Sequence, residues 1–369
     1  MKIEQIEIGI IQIPLIKPFK MALRTVNTLE SIMLRITTQN GLIGYGETAP
    51  TEAITGDSKT SILASLEMFA QHLIGMDISN KVHLLGAIHD TIEKNFNAKS
   101  AIEIALYDIW AQEAGMPLYR YLGGKQQCFK TGITISLNPI DEMVTDALEA
   151  VEQGFESLKI KLGDDPHTDI LRVEAISSAL GGDIPLKLDA NQGWSPEETV
   201  SFLRALEHKR IAIELIEQPV RREDTMGLKT IKEQTSVPLL ADESMFLPED
   251  ARRLLEEEAV DLINIKLDKC GGISRALEIA DICHDYGIGC MIGCMLEGAV
   301  SVGAAAHVAS ARAETITMVD LDAPILCSEA PVQGGVRFDG AEIRLSQKTG
   351  LGITFVERVE WLIKIKEEK

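Results

Sequence analysis

The chain has 369 residues, with 36 Lys and Arg against 56 Asp and Glu, and a formal charge of −20 with histidine neutral. That balance argues against nucleic acid or an anionic membrane as partner, because both are recognised through basic patches. At 45% hydrophobic and 25% charged residues the composition is that of an ordinary globular protein, and the length suits one large barrel plus an accessory domain.

The opening MKIEQIEIG alternates charged with β-branched residues, as a strand does and a signal peptide does not. No apolar run reaches the length of a membrane span, so a cytoplasmic location is expected. Residues 1–14, 30–38 and 42–47 read as strands, the last two joined by the turn Gln39-Asn40-Gly41. Residues 17–28 read as a polar, partly basic loop, and a second loop is expected at 51–57. Helices are expected at 58–74, 81–95 and 99–115. Strands followed by helices, without alternation, point to a separate α+β domain ending near 122–125.

From residue 130 the pattern alternates. Strands are expected at 131–137, 156–162, 185–190, 213–217, 237–241, 260–266, 288–293 and 315–320. Helices fit between them at about 141–153, 168–180, 196–207, 224–235, 248–257, 273–286 and 298–310. Eight strands with intervening helices fit a TIM barrel better than a doubly wound sheet. The tail pieces GGVRF (334–338) and AEIRL (341–345) are expected to return to the first domain. The division is then a capping domain of residues 1–125 completed by 330–369, and a catalytic barrel of 126–329. The six cysteines (Cys128, Cys270, Cys283, Cys290, Cys294, Cys327) contain no CxxC pair, so reduced, mostly buried thiols are expected.

Four stretches carry the chemistry: LKLDANQGW (186–194), IELIEQPV (213–220), VPLLADES (237–244) and LINIKLDK (262–269). Each is an apolar run ending in a charged residue, namely Asp189, Glu217, Asp242 and Lys266. Active sites of parallel sheets are built at the carboxyl ends of strands. A lone strand-end acid is more often a helix cap or a turn residue; three in consecutive units suggest one converging metal site. LKIKLG (158–163) places Lys159 and Lys161 on one strand face. Alone, that fits equally a half-exposed strand with its lysines in water; in a barrel the two point inward. Lys266 lies roughly opposite across the ring, and Lys269 reads as solvated or structural. Asp320 and Asp322 share an inward face at the last strand and could bind a cation such as a substrate ammonium. Their bland alternative is a turn before Pro324.

Removing a proton from carbon beside a carboxylate creates an enediolate, which water stabilises poorly. A magnesium ion on oxygen ligands and a nearby ammonium such as Lys159 can stabilise it. An unperturbed lysine at ~10.4 is protonated at pH 7. Lys159, the metal and burial would together lower Lys161; a drop of ~3 units corresponds to ~4 kcal/mol. One neutral and one protonated lysine on opposite faces of the carbon give racemisation or epimerisation.

These residues resemble the enolase superfamily over essentially the whole chain. The likeness is carried by YGETAP (45–50), AIEIALYDIWAQ (101–112), KIKLG, LDANQGW, IEQPV, ADES, NIKLDKCGG and the late DLD. It implies a modified TIM barrel, (β/α)7β, with an α+β capping domain. It also implies Mg2+ on Asp189, Glu217 and Asp242, acid/base roles for Lys161 and Lys266, and Lys159 polarising the substrate carboxylate. KxK with a second lysine is similar to the muconate-lactonising subgroup. The seventh strand, GIGCMIGCM, has no histidine, which disfavours the His-base branches.

Within the subgroup, Asp320 and Asp322 resemble the pair that holds the α-ammonium in dipeptide epimerases. PFKMALRTV (18–26) and ITGDS (54–58) most resemble L-Ala-D/L-Glu epimerases, which act on murein peptides. Arg24 would there bind the glutamate side chain in a fork-shaped contact, with Ile54 and Leu296 completing the substrate-binding set; otherwise Arg24 is a solvated loop residue. Glu297 would pull the other way, towards cationic or neutral partners. Because the net charge repels an anionic dipeptide, its capture would rest on local cations. The competing readings are epimerisation of hydrophobic or cationic dipeptides; o-succinylbenzoate synthesis, N-acylamino-acid racemisation or cycloisomerisation; and a non-catalytic, metal-stabilised binding barrel. A homo-oligomer is left open, since no interface is legible.

Overall fold

The computed structural model describes residues 1–21, 24–182 and 184–367. Its amino-terminal sheet contains β1 (Ile3–Met21), β2 (Arg24–Thr38) and β3 (Ile43–Thr48), joined antiparallel in that order. One face of the sheet buries Ile6, Ile8, Ile32, Leu34 and Ile36 against the helices Lys59–Leu73, Lys81–Thr91 and Phe96–Glu113. The last of these is buried along nearly its whole length. It packs closely on β3, because Gly44 and Gly46 leave no side chain in the way: an added Cβ would overlap the carbonyl oxygens of Ala105 and Ala101.

The expected loop over 17–28 is largely a hairpin. Phe19 pairs with Val26, Lys20 with Thr25 and Met21 with Arg24, beyond a register break between Pro14 and Phe19. Pro14 and Pro18 remove ladder donors and break the alternation, which hid the strand in the sequence.

The barrel follows a short strand, β4 (Cys128–Lys130). Its strands are β5 (Ile133–Ile135), β6 (Leu158–Lys161), β7 (Leu186–Asp189), β8 (Ile213–Glu217), β9 (Leu239–Ala241), β10 (Leu262–Ile265), β11 (Gly289–Gly293) and β12 (Ile316–Asp320). Neighbours are parallel throughout and run in sequence order. The ring nearly closes where Gly132 N–H donates to Val319 O (3.1 Å) and Leu321 N–H to Thr131 Oγ1 (2.9 Å). This is the α/β barrel with an antiparallel capping sheet that the resemblance implied. Helices lie between successive strands and start where the sequence signals a start. Ser195 and Glu198 form a capping box, Asp165 accepts from Thr168 N–H, and Pro166, Pro196 and Pro248 occupy first-turn positions.

The tail departs from expectation. Of its pieces, β14 (Arg337–Asp339) and β15 (Glu342–Arg344) join β4, while β13 (Val332–Gly334) pairs with β16 (Ile353–Val356). Only β17 (Glu360–Lys366) returns to the first sheet, beside β1. Ile343 is an apolar residue between two charged ones and sinks into the barrel core with Phe129. Ile363 and Ile365 do the same against the cap core. Among the described residues no helix is long and apolar enough to cross a membrane. All six cysteines are free, three buried and three half-buried.

Candidate active site

The parallel register sets Lys161, Asp189 and Glu217 side by side at the carboxyl ends of β6, β7 and β8. Asp242 follows β9 and Lys266 follows β10 by one residue each. With Lys159, these six residues are at most 6% exposed, so the lysines point inward and are not in water. Lys161 donates to Asp189 (2.5 Å) and Asn191 (3.2 Å), Lys159 to Glu217 (3.2 Å), and Lys266 to Asp242 (2.7 Å). Lys159 also pairs with Asp320.

A cavity above them is lined by Lys159, Lys161, Lys266, Asp320, Asp322, Arg24, Ile54 and Leu296, together with Phe19 and Met21 from the hairpin. The sequence-derived substrate and lysine set therefore shares one wall, and the three acids lie beside it as partners of the lysines. Asp320 Oδ1 is buried and has no partner among the described residues, while Asp322 Oδ2 accepts from Thr134 N–H (2.7 Å). Arg24 is half-buried in the cavity wall, not solvated in a loop, and its Nε has no partner among the described residues. Burial lowers its pKa. Glu297 is not on this wall; its carboxylate accepts from Met295 N–H and from the Ser301 hydroxyl.

Electrostatics separate the lysines from the acids. Burial opposes the charge on Lys159, yet Asp320 and Glu217 hold its pKa well above the ordinary value. Lys266 is likewise raised, with Asp242 and Glu217 outweighing desolvation. Glu217 is pushed up to about 7 by burial and by Asp189 and Asp242, although Lys159 opposes this. Asp242 is held low by Lys266 and Lys269 in spite of burial.

Among the described residues no three His, Cys, Asp or Glu side chains are arranged as a finished metal cage, because the carboxylates turn to ammonium groups. The donor set nevertheless fits a hard divalent cation: buried, oxygen-only and adjacent on consecutive strands. Glu243 lies beside them: burial and the neighbouring Asp242 push it up to about 8, and its Oε2 has no partner among the described residues.

Several residues escaped the sequence reading. Asn191 and Glu243 sit inside the quoted motifs but do not end strands. Asn264, whose Nδ2 donates to Glu217 Oε1 (2.8 Å), precedes Lys266 by two, and Lys187 precedes Asp189 by two. The two-residue period of a strand places both facing inward and would have found them. Lys269 takes the structural alternative. It is fully buried, and its Nζ donates to Asp242 and to Asn264 O (3.1 Å).

Residues 5–123 match the family described as "Mandelate racemase / muconate lactonizing enzyme, N-terminal domain", and residues 142–359 match "Enolase C-terminal domain-like". An L-Ala-D/L-Glu epimerase of Clostridium acetobutylicum is 45% identical, covering 96% of this chain and 99% of that one. The substrate-liganded L-Ala-D/L-Glu epimerase of Bacillus subtilis superposes with a TM-score of 0.95 at 44% identity, over 97% of this chain and 100% of that one. The dipeptide epimerase of Enterococcus faecalis, complexed with Mg and L-Leu-L-Tyr, superposes at 0.92 with 43% identity, over 96% and 100%.

Proposed function

Because the chain belongs to the mandelate racemase/muconate lactonizing enzyme family, with an enolase-like carboxy-terminal domain, we propose that it epimerises dipeptides at the α-carbon of the carboxy-terminal residue, with L-Ala-D/L-Glu as its preferred pair. The observation that carries this reading is the placement of Lys161 and Lys266. They stand on strands four apart in a ring of eight and face one cavity. A carbon acid between them can lose a proton on one side and regain it on the other.

Asp189, Glu217 and Asp242 would hold Mg2+, with residues 126–329 and the β14–β15 hairpin packed on them as the catalytic unit, and residues 1–125 with β17 as its cap. A divalent ion there would supply a Lewis acid for the substrate carboxylate, and its charge would offset that of the carboxylates now paired with the lysines. Lys159, kept protonated by Asp320 and Glu217, supplies a fixed positive charge to the same oxygens. The free oxygen of Asp320, with Asp322 beside it, suits the α-ammonium of a dipeptide. That argues against N-acylated or non-amino substrates of the subgroup. A partly desolvated Arg24, whose Nε has no partner among the described residues, favours an acidic side chain on the inverted residue, as in peptides of murein.

The test is a dipeptide library in deuterated water with Mg2+. L-Ala-L-Glu should gain deuterium at the glutamate α-carbon and yield L-Ala-D-Glu. Lys161→Ala and Lys266→Ala should each abolish inversion. Full turnover by both variants, or no exchange with any dipeptide, would remove the proposal.

A further inference from the structure

The two lysines differ in what holds them. Among the described residues, Lys161 bonds only Asp189 and Asn191, both on the barrel. Lys266 caps the one-turn helix Leu267–Cys270, which packs on the cap helix Phe96–Glu113. Two residues after Lys266, the fully buried Asp268 reaches across the seam, and its Oδ2 accepts the N–H of Ala49 at 3.0 Å. Ala49 leads into residues 51–55, whose Thr51 and Ile54 line the cavity. The far end of that cover is tied separately: Arg222 Nη1 donates to Ile54 O at 3.1 Å. Asp268 thus bonds the cover directly to the turn beside Lys266, and Asn97 of the cap helix also donates to Ala49 O (2.9 Å), whereas the path towards Lys161 is longer, from Arg222 N–H to Gln192 Oε1 (3.0 Å) and on to the neighbouring Asn191.

We propose that Asp268 is a positioning residue for Lys266, coupling this base, and not Lys161, to the segment that covers the substrate. The inference rests on the two-lysine reading above. Asp268 touches no reacting atom. It fixes the turn from which Lys266 projects and couples that turn to the seating of the substrate side chain under Ile54. Its loss should therefore impair proton transfer on one face of the α-carbon only.

Deuterium exchange measured separately from L-Ala-L-Glu and L-Ala-D-Glu tests this. A lone lysine can remove a proton and return a solvent deuteron to the same face, so exchange without inversion reports each base independently. Lys161→Ala and Lys266→Ala identify which epimer each lysine serves. Asp268→Ala should slow inversion at least tenfold in both directions, as the overall equilibrium requires, and should slow exchange from the Lys266 epimer equally. Exchange from the Lys161 epimer should stay within about twofold of the unmodified protein, a split that general loosening of the fold would not produce. Asp268→Asn keeps an oxygen for Ala49 N–H and should restore inversion and exchange from the Lys266 epimer; Asp268→Ser, too short to reach, should repeat the alanine pattern. Equal slowing of both exchanges, or no effect on either, overturns the coupling. Absence of exchange in the unmodified protein overturns the two-lysine reading itself, and with it this inference.

Discussion

In the proposed reaction Arg24 would select an acidic side chain, and its chemistry makes the consequence measurable. A guanidinium in a cavity wall with an unpartnered Nε gains a charge-assisted contact when a carboxylate arrives. Hydrogen bonds to charged groups are worth about 1.5–3 kcal/mol. Arg24→Met should therefore lower kcat/KM for L-Ala-L-Glu by about ten- to a hundredfold, since every 1.36 kcal/mol is about a factor of ten. Turnover of L-Ala-L-Leu should be kept or improved, because removing the charge also removes a desolvation cost for apolar side chains. Equal loss on both dipeptides would assign Arg24 to the fold and not to selection. At this scale much of the site was legible. Strand-end charges stand out in apolar runs, which marked Asp189, Glu217, Asp242 and Lys266, whereas Lys159 and Lys161 faced the same site only once the strands were taken as a barrel. Asn264 was passed over because a neutral amide inside an apolar run is not a charge at a strand end, although its two-residue spacing from Lys266 already gives it the inward face.

Elements were legible where a period repeats and obscure where it is broken. The barrel strands are short, apolar and flanked by capped helices, so eight of them could be counted. The hairpin formed by the ends of β1 and β2 could not be read, since Pro14 and Pro18 mimic a loop while the partner strand still pairs beyond them. Destination was equally hidden in the tail: both β15 and β17 alternate, and only the packing of Ile343 against Phe129, or of Ile365 against the cap, tells them apart. The stretch GYGETAP (44–50) contains a constraint of another kind. Gly44 and Gly46 alternate on the face of β3 that meets the helix Phe96–Glu113, where a methyl group would collide with backbone carbonyls. Backbone cannot move aside as a side-chain tip can. Gly46→Ala should then cost about 1–3 kcal/mol, the usual range for overpacking, and should lower the melting temperature by circular dichroism. Because this helix also carries the turn after Lys266, activity should fall more than stability does. An unchanged melting temperature would mean that the close approach is looser than the geometry gives.

On the scale of the whole molecule, several buried ionisable groups tie stability to pH, and their signs differ. Asp108, pushed up to about 6 by burial, binds its proton more tightly in the folded state, so its contribution is present at low pH and is lost as pH rises through about 6. His307 acts in the opposite sense. It is fully buried between the cap and the barrel helix Ala299–Ala311, and its Nδ1 accepts the N–H of Tyr119 at 2.8 Å. In the neutral ring Nε2 carries the hydrogen and has no acceptor among the described residues. Burial lowers its pKa to about 3 from 6.5. Between these values the unfolded chain binds a proton that the folded one refuses, so stability from this group falls as pH drops from about 6.5 towards 3. At about 1.36 kcal/mol per unit, the ceiling is of order 5 kcal/mol. His307→Gln can still accept from Tyr119 but does not titrate. The difference in unfolding free energy between the two proteins, followed by urea titration from pH 7 to 4, removes the opposing carboxylates because both chains share them. The unmodified protein should lose stability relative to the variant across that interval. A difference that does not change with pH would place His307 where a proton can reach it without cost, against its burial in the seam.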